Sequence, residues 1–159
     1  MKKLIILFLT ILIYGTVFGQ DNNKKLYEAI LKKDTISVRQ LLSEKADPNY
    51  IEESGPWMKV NMLITAVNSG NIEIVKMLIS NKADVKWKDG FNTTAIMYAA
   101  SKGNKDIVDL LLDNGANITD NDGQGNTVLS AAKESENKDL IKFVESKLKQ
   151  KKYNCLELE

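Results

Sequence analysis

The stretch Ile96-Met97-Tyr98-Ala99-Ala100-Ser101-Lys102-Gly103-Asn104-Lys105-Asp106-Ile107-Val108-Asp109-Leu110-Leu111-Leu112 reads as a helix, a tight turn and a second helix. The first segment is short and Ala-rich, and its small side chains let it lie close to neighbouring elements. Asn104 stands where a side-chain oxygen can accept from the unpaired N–H groups of the helix that follows. Ile107, Val108, Leu110, Leu111 and Leu112 then form an apolar stripe at helical spacing. One such helix pair cannot bury its stripe alone, so its neighbours along the chain decide the fold.

Those neighbours repeat the pattern. Gly70 leads Gly103 by 33 residues, and Glu136 follows it by 33 again. Around Gly70 lie Leu63-Ile64-Thr65-Ala66-Val67 and then Ile74-Val75-Lys76-Met77-Leu78-Ile79. Around Glu136 lie Leu129-Ser130-Ala131-Ala132 and then Leu140-Ile141-Lys142-Phe143-Val144. An earlier copy, Leu26-Tyr27-Glu28-Ala29-Ile30 with Val38-Arg39-Gln40-Leu41-Leu42, leads by 37, which places about four extra residues between Asn49 and Lys59. Asn61, Thr94 and Thr127 precede the first helices as expected N-caps, and Asp34, Asn71, Asn104 and Asn137 precede the second helices in the same role. The second helices are expected to stop at Lys45, Lys82 and Gly115 in the left-handed conformation. That conformation costs a lysine about 1–2 kcal/mol relative to glycine. Ala46-Asp47, Ala83-Asp84 and Ala116-Asn117 open polar loops to the next unit. The charged residues Lys24, Lys25, Lys32, Lys33, Asp34 and Arg39 at one end, and Lys133 to Asn137 at the other, suit the solvated ends of a stack.

The combination Thr94-Ala95-Ile96, Ala99-Ala100, Gly103, Ile107-Val108, Leu110-Leu111-Leu112 and Asn114-Gly115-Ala116-Asn117 resembles the ankyrin-repeat family. Weaker copies extend the resemblance from Lys25 to Leu148. The family's helix-opening Pro and His are replaced here by Ala95 and Met97, by Val128 and Ser130, and by Met62 and Ile64. The resemblance implies an all-α fold: a solenoid of about four helix-turn-helix repeats with projecting finger loops. The repeats fall at about 24–56, 61–88, 94–121 and 127–149 within a domain spanning 24–149, with a C-terminal tail over 150–159. It implies function by concave-surface recognition of a protein partner and not by catalysis. Carried over position by position, the finger tips and exposed first-helix sites include Trp57, Met58, Val60, Asn68, Ser69, Lys88, Gly90, Phe91 and Thr93. Ser101, Lys102, Asn121, Gln124, Asn126, Glu134 and Ser135 complete the set. Trp57, Met58, Trp87 and Phe91 are large apolar groups in otherwise polar loops, the chemistry of interface anchors. The rival reading is that the aromatics brace finger against finger. Tyr27 and Tyr98, on first helices, are expected to be half-buried packing residues.

Composition narrows the function. The 159 residues hold 22 Lys+Arg, 21 Asp+Glu, one Cys and no His. Without His there is no Ser–His or Cys–His pair and no common general base, so an enzyme reading would rest on Asp and Glu alone. No metal-ligand spacing, phosphate loop or nucleophile motif is present, so neither a cofactor nor a metal is expected. The near-neutral charge gives no broad field for nucleic acid. Residues 1–19 read as a signal peptide: Lys2-Lys3, an apolar run from Leu4 to Phe18, and an exit at Gly19-Gln20. The run is roughly 15 residues, short of the ~20 a spanning helix needs. Cleavage would leave 20 bases against 21 acids and an exported protein, periplasmic or secreted. Retention would anchor it at an envelope membrane instead. N-terminal sequencing decides between these, a start near Gln20 removing the anchored form. An inhibitor or immunity-type role, or that of a helper for an exported toxin or enzyme, is a narrower form of the binding reading. Cys155 is expected to be an inert thiol, or else an intermolecular disulfide in an oxidising compartment. Lys147, Lys149, Lys151 and Lys152 are expected to form a solvated helix face.

Overall fold

The computed structural model describes residues 22–53 and 59–156. Within them the helices come in pairs: α1 (22–31) with α2 (Thr35–Ser43), α3 (Met62–Ser69) with α4 (Ile72–Ser80), α5 (Ala95–Ser101) with α6 (Lys105–Asp113), and α7 (Val128–Glu134) with α8 (Lys138–Leu156). The first helices α3, α5 and α7 pack in succession, and so do the second helices α2, α4, α6 and α8. This is the expected all-α repeat solenoid. One continuous core runs along it, with Leu26, Ile30, Met62, Leu63, Ile64, Ile96, Ile107, Leu111 and Leu140 fully buried. Ala66, Ala99, Ala100 and Ala132 are buried as well, which is how the first helices approach one another closely. The signal-peptide reading falls on residues outside the described ones.

Local chemistry starts and stops each helix. The side chains of Asp34, Asn71, Asn104 and Asn137 accept from N–H groups in the first turns of α2, α4, α6 and α8. Asn61 accepts from the Ile64 N–H at 2.8 Å, and Thr127 forms a reciprocal capping box with Ser130. Thr94 departs from expectation. It stands at the N-cap of α5 but its hydroxyl makes no cap bond, and its Oγ1 is buried without a partner. The Ser130 N–H donates to the Thr127 hydroxyl, whereas the Met97 N–H donates to the Thr94 carbonyl at 3.1 Å and leaves the Thr94 hydroxyl out. Thr94→Val is therefore expected to stabilise the fold by about 1 kcal/mol, because an unpaired buried hydroxyl is exchanged for a methyl group. Urea unfolding of the two chains checks this; a loss of stability would mean that the hydroxyl has a partner.

Lys45 (φ 68°) and Lys82 (φ 72°) end α2 and α4 in the left-handed region, as Gly115 ends α6. The turns inside the four pairs are left-handed too: glycine at Gly70 and Gly103, but Lys33 (φ 57°) and Glu136 (φ 58°) in the two terminal repeats.

Between repeats the chain forms fingers. The extra residues of the first lengthen it into an antiparallel ribbon of β1 (Ile51–Glu53) and β2 (Lys59–Asn61), with Glu52 opposite Val60. The next two fingers close on single bridges, Lys88 with Thr94 and Asn121 with Thr127. Hydrogen bonds tie successive repeats together. Asn49 Nδ2 donates to the Lys82 carbonyl (3.0 Å), and Asn49 Oδ1 accepts from the Asp84 N–H (2.7 Å). Asn92 Nδ2 donates to the Asp122 carbonyl, Lys88 Nζ to that of Asn121, and Asn137 Nδ2 to that of Gly103.

The last helix runs on past Lys149 to Leu156. Its lysines are not uniformly solvated. Lys147 pairs with Asp109 at 3.7 Å and, with Lys105, brackets the Phe143 ring (5.1 and 4.7 Å). Lys151 Nζ donates to Asn117 and Thr119. Lys149 and Lys152 remain exposed.

Candidate functional site

Two adjoining hollows lie where the fingers meet the first helices. One, of about 550 Å³, reaches from Tyr27, Leu31 and Lys33 of the first repeat to Phe91 and Tyr98 of the third. Lys59 and Val60 of the ribbon wall it, and Thr65 and Asn68 of α3 line its floor. The second, of about 520 Å³, continues from Phe91 and Tyr98 to Gln124, Asn126 and Glu134. Phe91 and Tyr98 line both hollows, so together they form the ridge of one groove.

The ridge is built by its own finger. The Asp89 carboxylate accepts from the N–H groups of Phe91 and Thr93, both at 2.9 Å, which folds the finger tip over it. Its other oxygen accepts from the Tyr98 hydroxyl at 2.7 Å, tying the tip to α5. Burial, then the Asp89 bond and charge, hold the Tyr98 phenol well above the ordinary tyrosine range, so it stays protonated and keeps donating at neutral pH. With the tip fixed, Phe91 projects and is 61% exposed. Asp122 builds the next finger likewise, accepting from the Gln124 and Asn126 N–H groups. The Gln124 and Asn126 bonds hold its carboxyl below the usual range, so it is ionised at neutral pH.

The residues singled out from the sequence divide. Val60, Asn68 and Phe91 meet in the first hollow, and Phe91, Ser101 and Gln124 in the second. Trp87 is half-buried and packed on the core, the position that a brace would take. Lys88, Lys102 and Asn121 are exposed but line neither hollow, and Lys88 is engaged by the next finger through Asn121. Trp57 and Met58 lie outside the described residues. Tyr27 and Tyr98 are half-buried against the core, as expected, yet both also face the groove. Leu31, Lys33, Lys59 and Asp89 did not stand out in the sequence. Register could have found Leu31: Leu31, Asn68, Ser101 and Glu134 occupy one position in the four repeats and all line the groove. Among the described residues no group of three or more Cys, Asp or Glu is placed to hold a metal ion.

Comparison with known proteins agrees with the architecture. A family model described as ankyrin repeats (3 copies) matches residues 26–122 and 63–154. The 2-5A-dependent ribonuclease of Mus musculus is 34% identical over 64 residues. That stretch is 40% of this chain and 8% of the ribonuclease, so the chain spans only a small part of the relative's length.

Proposed function

The chain belongs to the ankyrin-repeat family, whose members generally serve as protein–protein interaction modules, and from this premise we propose that it is an exported, non-catalytic module that docks one protein partner in its groove. The observation that carries the reading is Phe91, an aromatic ring kept exposed on the ridge by a finger whose Phe91 and Thr93 N–H groups are held by Asp89. An exposed aromatic flanked by concave surface and a polar rim is the arrangement in which a few residues supply most of the binding free energy. A preorganised stack loses little conformational entropy on association, which lowers the cost of binding. Inhibition of, or assistance to, an exported toxin or enzyme is the form such docking would take. The basic start, apolar run and small-residue exit of residues 1–19 support export.

Photo-crosslinking tests the groove. A crosslinking side chain at position 91 should join the chain to a discrete partner in the native cell. The same group at Lys76, exposed on the second-helix side, should not. Equal adducts from both positions would remove the groove as the docking face.

A further inference from the structure

The groove is electrically ordered along its length. At the first-repeat end stand Lys33 and Lys59. At the fourth-repeat end stands Glu134; Asp122 beside it is engaged by the Gln124 and Asn126 N–H groups and the Asn126 amide of its own finger. Phe91 and Tyr98 lie between. Asp89, also in the first hollow, offsets only part of the charge of the two lysines, and its buried oxygens, held by three donors of its own finger and of Tyr98, are not free to pair with a ligand. Lys59 shares an exposed pair with Glu53 at 2.7 Å, of the kind a ligand carboxylate can displace at little cost. The Lys33 side chain makes no hydrogen bond or ion pair among the described residues, and only its backbone N–H is engaged, by the Ile30 carbonyl. Its backbone is the informative part. In the second and third repeats the same turn is glycine, at Gly70 and Gly103, and there the left-handed conformation is unstrained. The first repeat keeps a lysine there against a backbone cost, as the fourth keeps Glu136, and of the two Lys33 lines the hollow.

We propose that the groove takes an extended segment of a partner protein bearing, in linear order, a carboxylate for Lys33 and Lys59, an aromatic or long aliphatic side chain against Phe91 and Tyr98, and a cationic side chain for Glu134. The inference rests on the docking reading above and specifies its chemistry. Opposed charges at the two ends set the direction in which the segment lies and reject its reverse. The apolar ridge supplies most of the affinity.

The test selects displayed random linear peptides on the full chain and retests the survivors against variants. Enriched peptides should share the acid–apolar–base order. Their affinity should fall about tenfold or more on Phe91→Ala. It should also fall several-fold on Lys33→Gly, which relieves the strained turn and so leaves the thermal midpoint unchanged or raised. Glu134→Lys should shift the selection toward acid at both ends. Peptides that need Phe91 but show no charge order, or that ignore Lys33→Gly, overturn this inference and leave groove docking standing. Peptides indifferent to Phe91→Ala overturn both. A selection without binders, or a self-associating chain whose dimer Phe91→Ala abolishes, also overturns it, the latter giving the groove to a second copy.

Discussion

Ile96→Ala is expected to cost about 2–5 kcal/mol, the range for deleting a buried aliphatic side chain whose space cannot refill. Ile96 is fully buried, and its helix α5 packs against α3, α6 and α7 at once. In a stack, stability is nearly a sum over neighbouring interfaces. A cavity in the third repeat weakens the interfaces on both its sides, whereas Ile30→Ala in the first repeat weakens one. The loss in Ile96→Ala is comparable to a whole interface, so its urea transition should broaden or split, the two halves of the stack unfolding separately. Circular dichroism through a urea series reads both effects. A loss below about 1 kcal/mol, no larger than an average substitution, would show that α5 is not the centre of the core.

Asn137→Ala is expected to cost about 2 kcal/mol. The side chain does two things. Its Oδ1 accepts from the Asp139 and Leu140 N–H groups, both at 3.1 Å, and caps α8; a lost cap costs about 1 kcal/mol. Its Nδ2 donates to the Gly103 carbonyl at 2.8 Å, across the boundary between repeats, and that bond adds about 1 kcal/mol more. Asn104→Ala supplies the comparison, since Asn104 caps α6 by accepting from the Ile107 N–H at 3.1 Å and its side chain makes no bond to another repeat among the described residues. The difference between the two losses measures the inter-repeat bond. Equal losses would mean that Asn137 works as a cap alone.

What the sequence disclosed was mainly what is local. Asn71, Asn104 and Asn137 were legible as caps because a cap needs only the residues two and three positions on. Lys45 and Lys82 were legible as left-handed ends because they stand in register with Gly115. Thr94 stands at a cap position, but the Met97 N–H goes to its carbonyl and not to its hydroxyl, a choice of geometry that residue type does not record. The ribbon of Ile51–Glu53 and Lys59–Asn61 went unread because three-residue strands are too short to show alternation. Past Lys149 the apolar spacing stops, and the helical continuation to Leu156 left no periodic trace. Phe91 drew notice as an aromatic in a polar loop, and it is on the ridge. Lys33, Lys59 and Asp89 did not, because only the assembled stack brings residues of three different repeats to one hollow.

The hydrogen bonds between successive repeats have a kinetic consequence. The partners lie 30 to 35 residues apart along the chain: 33 for Asn49 with Lys82, 30 for Asn92 with Asp122 and 34 for Asn137 with Gly103. Folding therefore never has to close a loop much longer than one repeat, and each closure resembles the last. Such chains have low contact order and fold fast for their size. The same arithmetic applies to the lengthened first finger. Stretching the repeat from 33 to 37 residues adds only about 0.1 kcal/mol to the closure entropy, which grows with the logarithm of length. Finger length is thus a nearly cost-free variable for a lineage of such proteins. The wall of the groove can be raised or lowered by insertion while the pathway by which the stack assembles stays the same.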